Sequence, residues 1–260
     1  MKKTLIALAV AASAAVSGSA MAWTANGSGG SVDLGGSLTP VEKVTPWEVK
    51  VGAVVNDLNG AVQKGQKEVS VVVNKAIPVL GIRNANANGF KGGIGIKPQI
   101  DYNNAVDLSS FKNGTTTLTL PVKNNSDNII GSMTVPFSAG AVSSWGSPTN
   151  AGGTKNLYAT NSDASFYGGL GYNRESIRAE GNGALINSLS PEYMEKWKVQ
   201  GTWEGPGEET FVGGETTNFF GVYGSGIEQG KTIQITLEQA ASGDAPIQWK
   251  ASLPVIVSYM

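Results

Sequence analysis

Cysteine and histidine are both missing from this 260-residue chain. The two absences together remove structural disulfides, thiolate and imidazole metal sites, cysteine nucleophiles and Ser-His-Asp triads. Charge is scarce and balanced, with 19 Lys and Arg against 20 Asp and Glu and only 15% charged residues. A nucleic-acid binder needs a basic face to neutralise phosphates, so the balance argues against that class. Beyond the first residues, no apolar run reaches the roughly 20 residues that a transmembrane helix takes. A small outer-membrane barrel would need strands of about 10 residues alternating around a closed sheet, and would leave no room for a long irregular insertion.

What the chain does have begins at its N-terminus. Lys2-Lys3, the short apolar run from Leu5 to Val16, and Ser17-Gly18-Ser19-Ala20-Met21-Ala22 are the three parts of a secretory signal peptide. Cleavage after Ala22 takes residues 1–22 out of the fold and makes Trp23 the first mature residue. An exported chain without a disulfide must be stabilised by buried area alone, or by a partner chain. The remainder is long enough for one large domain or two small ones, and the turn-rich β pattern favours one.

Thirty-five glycines, with many Asn, Ser and Thr, predict many turns between short strands. Strands are expected at Trp47–Val51, Lys67–Val73, Ala76–Ile82 (with Pro78 marking an edge or bulge), Ile96–Tyr102, Thr217–Tyr223 and Lys231–Glu238. Thr115–Val122 and Asn128–Ser138, joined by a polar five-residue connection, predict a hairpin. Val54, Leu58 and Val62 stand at helical spacing, so a helical turn is expected within 53–63, weakened by Gly60. From Ala139 to Gly207 the alternation stops. Residues 139–162 are expected to be loop-like, and helical material is expected between Glu175 and Gln200. Ser190-Pro191-Glu192 supplies a helix start there.

Two stretches stand out at the ends. Val32, Leu34 and Leu38 alternate with polar residues, Gly36 fills the remaining position of the row, and the glycine/serine run Asn26–Gly30 tethers the stretch flexibly. At the other end Ile247, Trp249, Ala251, Leu253, Val255, Val257 and Tyr259 share one face of a long expected strand. On pattern alone the first is either an ordinary first strand of its own sheet or a strand given to another copy. The second is a core strand of a β-sandwich, the architecture that the short strands and polar turns suggest.

Several ordered segments then carry a family resemblance. The extension Gly30–Leu38, Trp47-Glu48-Val49-Lys50-Val51-Gly52, Leu120-Pro121-Val122-Lys123-Asn124, Phe166-Tyr167-Gly168-Gly169-Leu170, Asn187-Ser188-Leu189-Ser190 and the closing strand from Trp249 with its penultimate Tyr259 resemble subunits of chaperone/usher fimbriae. The chain is most similar to their kappa class, in which the major subunit is also the adhesin. The resemblance implies an all-β fold: an incomplete immunoglobulin-like β-sandwich, completed by donor-strand exchange, with a partly helical central insertion. It divides the chain into signal peptide 1–22, donor-strand extension 23–40 and pilin domain 41–260, with the insertion at about 139–207.

By the same resemblance, Val32, Leu34, Gly36 and Leu38 form the donor strand, and Leu253, Val255, Val257 and Tyr259 wall the acceptor groove. The implied partners are other fimbrial subunits in a homopolymer, a periplasmic chaperone, an outer-membrane usher and host glycoconjugates. Implied localisation is export through the periplasm to a surface fimbria, and the implied function is structural and adhesive. The alternatives are a minor, non-adhesive subunit and, from another class, a secreted carbohydrate-active enzyme.

Other motifs carry less. Gly224–Thr232 ends like a phosphate-binding loop but its Lys231-Thr232 opens an expected strand, not a helix, so it is read as a turn. Asp163, Glu175, Glu204, Glu208 and Glu209 are candidates for a glycosidase pair, though surface acids are the simpler reading. No metal loop and no cofactor motif is present. Trp145, Tyr158, Phe166, Tyr167, Tyr172 and Trp203 gather in the insertion among Asn, Asp and Ser, a composition suited to the apolar faces and hydroxyls of sugars. Of these, Trp145, Tyr158, Tyr167, Tyr172 and Trp203 are the candidate glycan-binding residues. The competing reading is that these rings pack the insertion onto the sandwich.

Overall fold

A computed structural model of the chain describes residues 25–26, 32, 34–39, 44–178 and 181–260. It contains two compact units, residues 1–43 and 44–260. The signal peptide assigned to 1–22 lies outside the described residues. In the first unit, residues 32 and 34–39 belong to no strand, and Val32, Leu34 and Leu38 are exposed by 85%, 92% and 99%.

The regular structure of the second unit is almost wholly strand. In chain order these are β1 (Trp47–Val51), β2 (Glu68–Val72), β3 (Ile77–Asn84), β4 (Phe90–Lys91), β5 (Pro98–Asp101), β6 (Thr115–Lys123), β7 (Ile129–Ser147) and β8 (Asn150–Leu157). Helix α1 (Asn182–Leu189) follows, then β9 (Thr202–Gly207), β10 (Asn218–Ile227), β11 (Thr232–Leu237) and β12 (Ile256–Tyr259). One large sheet carries the path β1-β3-β10-β7-β11-β2, and β5 with β12 form a separate pair.

Strand β7 organises the large sheet. Its first half is flanked by β6 and β11, and its second half by β10 and β8. Of residues 139–162, expected to be loop-like, 139–147 and 150–157 are therefore strand. The reason is burial on both faces, which erases alternation. Ala139, Ala141 and Ser143 face the main core, while Gly140, Val142 and Ser144 lie under a second layer.

That second layer is the helical part of the insertion. Ile186 of α1 and Tyr193 pack on Val142 and Val222 from outside the sheet. Small residues admit them: a Cβ on Gly81 would stand 2.3 Å from the Tyr193 ring, and one on Gly224 would stand 2.8 Å from Ile186. The start signal at Ser190-Pro191 initiates only a 3-10 turn, Pro191–Met194. Ser190 Oγ donates to Glu192 Oε1 at 3.1 Å instead of capping a backbone N–H.

Residues 53–63 take no helical form. They lie close over β2, where a Cβ on Gly60 would meet Val71 Cγ2 at 2.8 Å, so a helix has no room there. The β6–β7 hairpin forms as expected, and Pro78 sits where the β3–β10 register shifts, as its inability to donate requires. The core between the layers gathers Leu80, Ile82, Phe137, Phe166, Phe211 and Tyr223, all fully enclosed.

Candidate polymerisation site

The alternating C-terminal row lies against this core without being covered by it. Trp249, Ala251, Leu253, Val255, Val257 and Tyr259 are each half-buried and packed on core residues, whereas Ser252, Pro254, Ile256 and Ser258 between them are exposed. Ile247, at the start of the row, is exposed by 41%. Half-burial of every second side chain is what a strand shows when the layer above it is incomplete.

The backbone tells which edge is open. Met260 and Lys97 exchange two hydrogen bonds of 3.0 Å, and Lys250 and Lys123 exchange two of 2.9 Å. In an antiparallel ladder, hydrogen-bonding direction alternates along the strand, so even-numbered residues from 250 to 260 direct their N–H and C=O toward β5 and β6. Odd-numbered residues then direct theirs the other way. The backbone groups of Leu253, Val255 and Val257 thus face a side on which no strand lies among the described residues. Pro254, which has no N–H, falls on the even set and leaves that edge uninterrupted.

The expected strand is also shorter as a ladder than as a pattern. Only Ile256–Tyr259 is hydrogen-bonded as strand, with Lys250 as an isolated bridge. Residues 251–255 keep the alternation of burial but find no strand partner within the described chain.

The aromatic candidates do not form one cluster. Trp145 pairs in register with Gly153 and Gly153 with Thr202, while Trp203 pairs with Thr154 and so with Ser144. Register partners share a face, so Trp145 and Trp203 lie on opposite faces of the sheet. Trp145 packs on the core and Trp203 is 51% exposed. Tyr167 and Tyr172 do meet, half-buried, with ring centroids 6.0 Å apart and planes tilted by 35°. Burial, and the neighbouring Tyr167 ring, push the Tyr172 hydroxyl pKa up. Tyr158 is half-buried, and its N–H donates to Gly207 O at 3.1 Å.

A match to the family described as "fimbrial, major and minor subunit" covers residues 1–260. The K88 fimbrial proteins AD and AC of Escherichia coli are each 34% identical to this chain over the full length of both, and the F41 fimbrial protein of the same organism is 28% identical over the full length of both. The chain belongs to this fimbrial subunit family. It is a structural component of surface fimbriae that assembles with other fimbrial subunits, and it is not an enzyme.

The fimbrial subunit's candidate carboxylates fit that role. Glu204 and Glu209 both flank Lys155 Nζ, at 3.9 and 3.7 Å. Buried Glu209 also accepts from Ser143 Oγ at 3.1 Å and from the Thr210 and Phe211 N–H groups. Glu208 accepts from the Thr160 N–H at 2.7 Å, and Asp163 stands 3.9 Å from Lys97. Glu209 thus ties its loop to β7 and β8, Glu208 joins two loop segments, and Glu204 pairs β9 with β8. Among the described residues, no group of His, Cys, Asp or Glu is arranged to hold a metal. The phosphate-loop-like segment is the end of β10, a turn in which Lys231 N–H donates to Glu228 O at 3.3 Å, and the start of β11.

Sequence reading missed one polar feature of the fimbrial subunit. Tyr102 and Tyr223 hydroxyls lie 2.9 Å apart in the core, Tyr102 also meets Ser225 Oγ at 2.7 Å, and Tyr223 donates to Gly169 O at 3.0 Å. This network ties the Phe166–Leu170 island to β10 beneath β5. The residues are far apart in sequence, so no spacing signals it.

Proposed function

We propose that this fimbrial subunit polymerises by donor-strand exchange, a form of β-strand addition. Residues 23–40 of one copy would supply Val32, Leu34 and Leu38 to the groove beside Leu253, Val255, Val257 and Tyr259 of the next, with Gly36 between the anchors. The observation that carries this reading is the pairing of an apolar row with an outward-facing backbone edge, alongside three anchors exposed by 85% or more. An unpaired edge beside apolar surface is an aggregation hazard, which an incoming strand removes. Full burial of each anchor contributes roughly 1.5–3 kcal/mol, besides the ladder itself. The same need for cover before assembly supports a periplasmic chaperone that lends a strand, and an outer-membrane usher that exchanges it.

Deletion of residues 23–40 tests the reading. The truncated subunit is expected to be captured by chaperone and exported yet to enter no fibre; normal polymerisation of the truncated chain would refute the assignment.

A second reading is adhesion to host glycans. The half-exposed Trp203 ring and the Tyr167–Tyr172 pair support it, because exposed aromatic faces suit the C–H faces of sugars. The opposite facing of Trp145 limits its part to packing. Titration of assembled fibres with an oligosaccharide panel is expected to show binding without turnover, lost on Trp203→Ala or Tyr172→Ala; absence of any binding would leave a purely structural subunit.

A further inference from the structure

We infer that Asn59, followed by Gly60 in the segment that lies over β2, is a site of spontaneous covalent modification. Its side-chain amide is lost through a cyclic imide, leaving aspartate or isoaspartate in the folded subunit.

Asparagine followed by glycine is the pair suited to this reaction, because the glycine nitrogen is the attacking group and no Cβ shields its approach. Four such pairs lie wholly among the described residues: Asn59-Gly60, Asn88-Gly89, Asn113-Gly114 and Asn182-Gly183. In sequence the four are equivalent; the fold separates them.

Gly89 N–H donates to Asn86 O at 3.0 Å, in a turn whose Asn88 O accepts from Asn218 Nδ2 at 2.8 Å. Gly114 is buried, and its N–H donates to Ser176 O at 2.8 Å. Both nitrogens have to give up a hydrogen bond before they can attack. Asn182 is fully enclosed in the first turn of α1, where its Nδ2 donates to Ala141 O at 3.2 Å. Solvent does not reach that amide, and the amide is tied in place.

Asn59 has none of these restraints. Both it and Gly60 are exposed, and Gly60 N–H finds no hydrogen-bond partner among the described residues. Within 53–62 the one backbone hydrogen bond among the described residues is local, from Asn59 N–H to Asp57 O at 3.0 Å. The Asn59 side chain is held only by a 3.5 Å contact of Nδ2 with the same oxygen. Nitrogen and amide are thus both free to meet.

The reaction consumes one water and releases one ammonia, with nothing oxidised or reduced. Hydroxide takes the Gly60 N–H proton, the nitrogen attacks Asn59 Cγ, and the Cγ–Nδ2 bond breaks as ammonia leaves with a proton from water. Water then opens the imide. Cleavage of the new Cγ–N bond gives aspartate; cleavage of the original peptide C–N bond gives isoaspartate, whose main chain runs through the side-chain methylene. Either product adds a negative charge two residues from Asp57. Isoaspartate also lengthens the backbone where it already presses on β2, since a Cβ on Gly60 would meet Val71 Cγ2 at 2.8 Å and Val69 Cγ1 at 3.1 Å. Leu58, packed on the core just before Asn59, is the contact that such lengthening loosens.

The full-length folded subunit is incubated in mildly alkaline buffer, with and without urea, then digested at mildly acidic pH. Mass spectrometry follows each Asn-Gly peptide, and an isoaspartate methyltransferase with labelled S-adenosylmethionine reports isoaspartate. In the folded chain the Asn59 peptide is expected to convert about tenfold faster, or more, than those of Asn88, Asn113 and Asn182, which must first lose a hydrogen bond. Isoaspartate is expected among its products, and in urea the four rates are expected to draw together. A folded chain in which Asn59 has no lead overturns the assignment. An equal lead in urea overturns its attribution to the fold, and conversion to aspartate without any isoaspartate overturns the imide route.

Discussion

Truncating one donor anchor, Leu34→Ala, separates a strand that is given away from one that closes its own sheet. Leu34 is 92% exposed in the single chain, so the substitution removes almost no buried area there. Stability of the unassembled subunit should change by no more than about 0.5 kcal/mol, the usual effect of a surface substitution. Within a neighbour's groove the same side chain is enclosed, and cutting Leu to Ala in a packed site costs about 2–5 kcal/mol. The acceptor row is half-covered in the single chain, which favours the lower part of that range, about 2–3 kcal/mol, or roughly a 30- to 150-fold weaker junction. The loss should fall on dissociation, because association rates vary far less among variants of one interface. Fibres heated in SDS should release monomers at lower temperature and faster by that factor, while the melting temperature of chaperone-released monomer stays put. Leu80→Ala, at a fully enclosed position, is the control that lowers the monomer's melting temperature. The reasoning is refuted if Leu34→Ala destabilises the monomer as Leu80→Ala does, or if fibre dissociation is unchanged.

Val257→Asp should block incorporation into fibres, because it sets a carboxylate on the half-buried face at the open edge; surface labelling of cells expressing the variant reads this, and undiminished labelling counts against the groove. Tyr223→Phe removes the donor to Gly169 O and a partner of Tyr102, which should lower stability by about 1–3 kcal/mol in denaturant titration, whereas an unchanged midpoint would mean the network contributes nothing. Burial raises the Tyr102 and Tyr223 hydroxyls well above the usual tyrosine range and raises Tyr193 to about 12. A folded-state value above the unfolded one means full stability below the unfolded pKa near 10, lost as pH rises toward the folded values. Alkaline melts should therefore show stability falling above about pH 10, by about 1.4 kcal/mol per pH unit for each fully buried tyrosine. With no histidine in the chain, no comparable step is expected near pH 6–7.

Legibility in the sequence followed one-sidedness. β6 and β11 each bury one face and expose the other, so their alternation survives in the sequence and their bounds are readable to within a residue or two. The second half of β7 failed that test because α1 and the main core cover both its faces. Segment 53–63 failed for another reason: Val54, Leu58 and Val62 fit a helical spacing, but the close approach of Gly60 to β2 is a tertiary fact. The C-terminal row was legible as a face and not as an edge. Side-chain parity is written in the residues, whereas the direction of each N–H depends on which strand lies beside it. The aromatic group shows the converse error, since Trp145 and Trp203 share a composition-rich region and are divided by the sheet between them.

Composition and periodicity alone determined that this chain is free of disulfide and imidazole chemistry, rich in β-strand, and supplied with an apolar alternating stretch at each end, because these depend only on which residues occur and at what spacing. Folding decided the rest. It placed small residues of β7 between two layers and left the C-terminal row with no strand on its far side among the described residues. Those outcomes turn on which segments lie side by side, and contacts between residues distant in sequence carry no local signature.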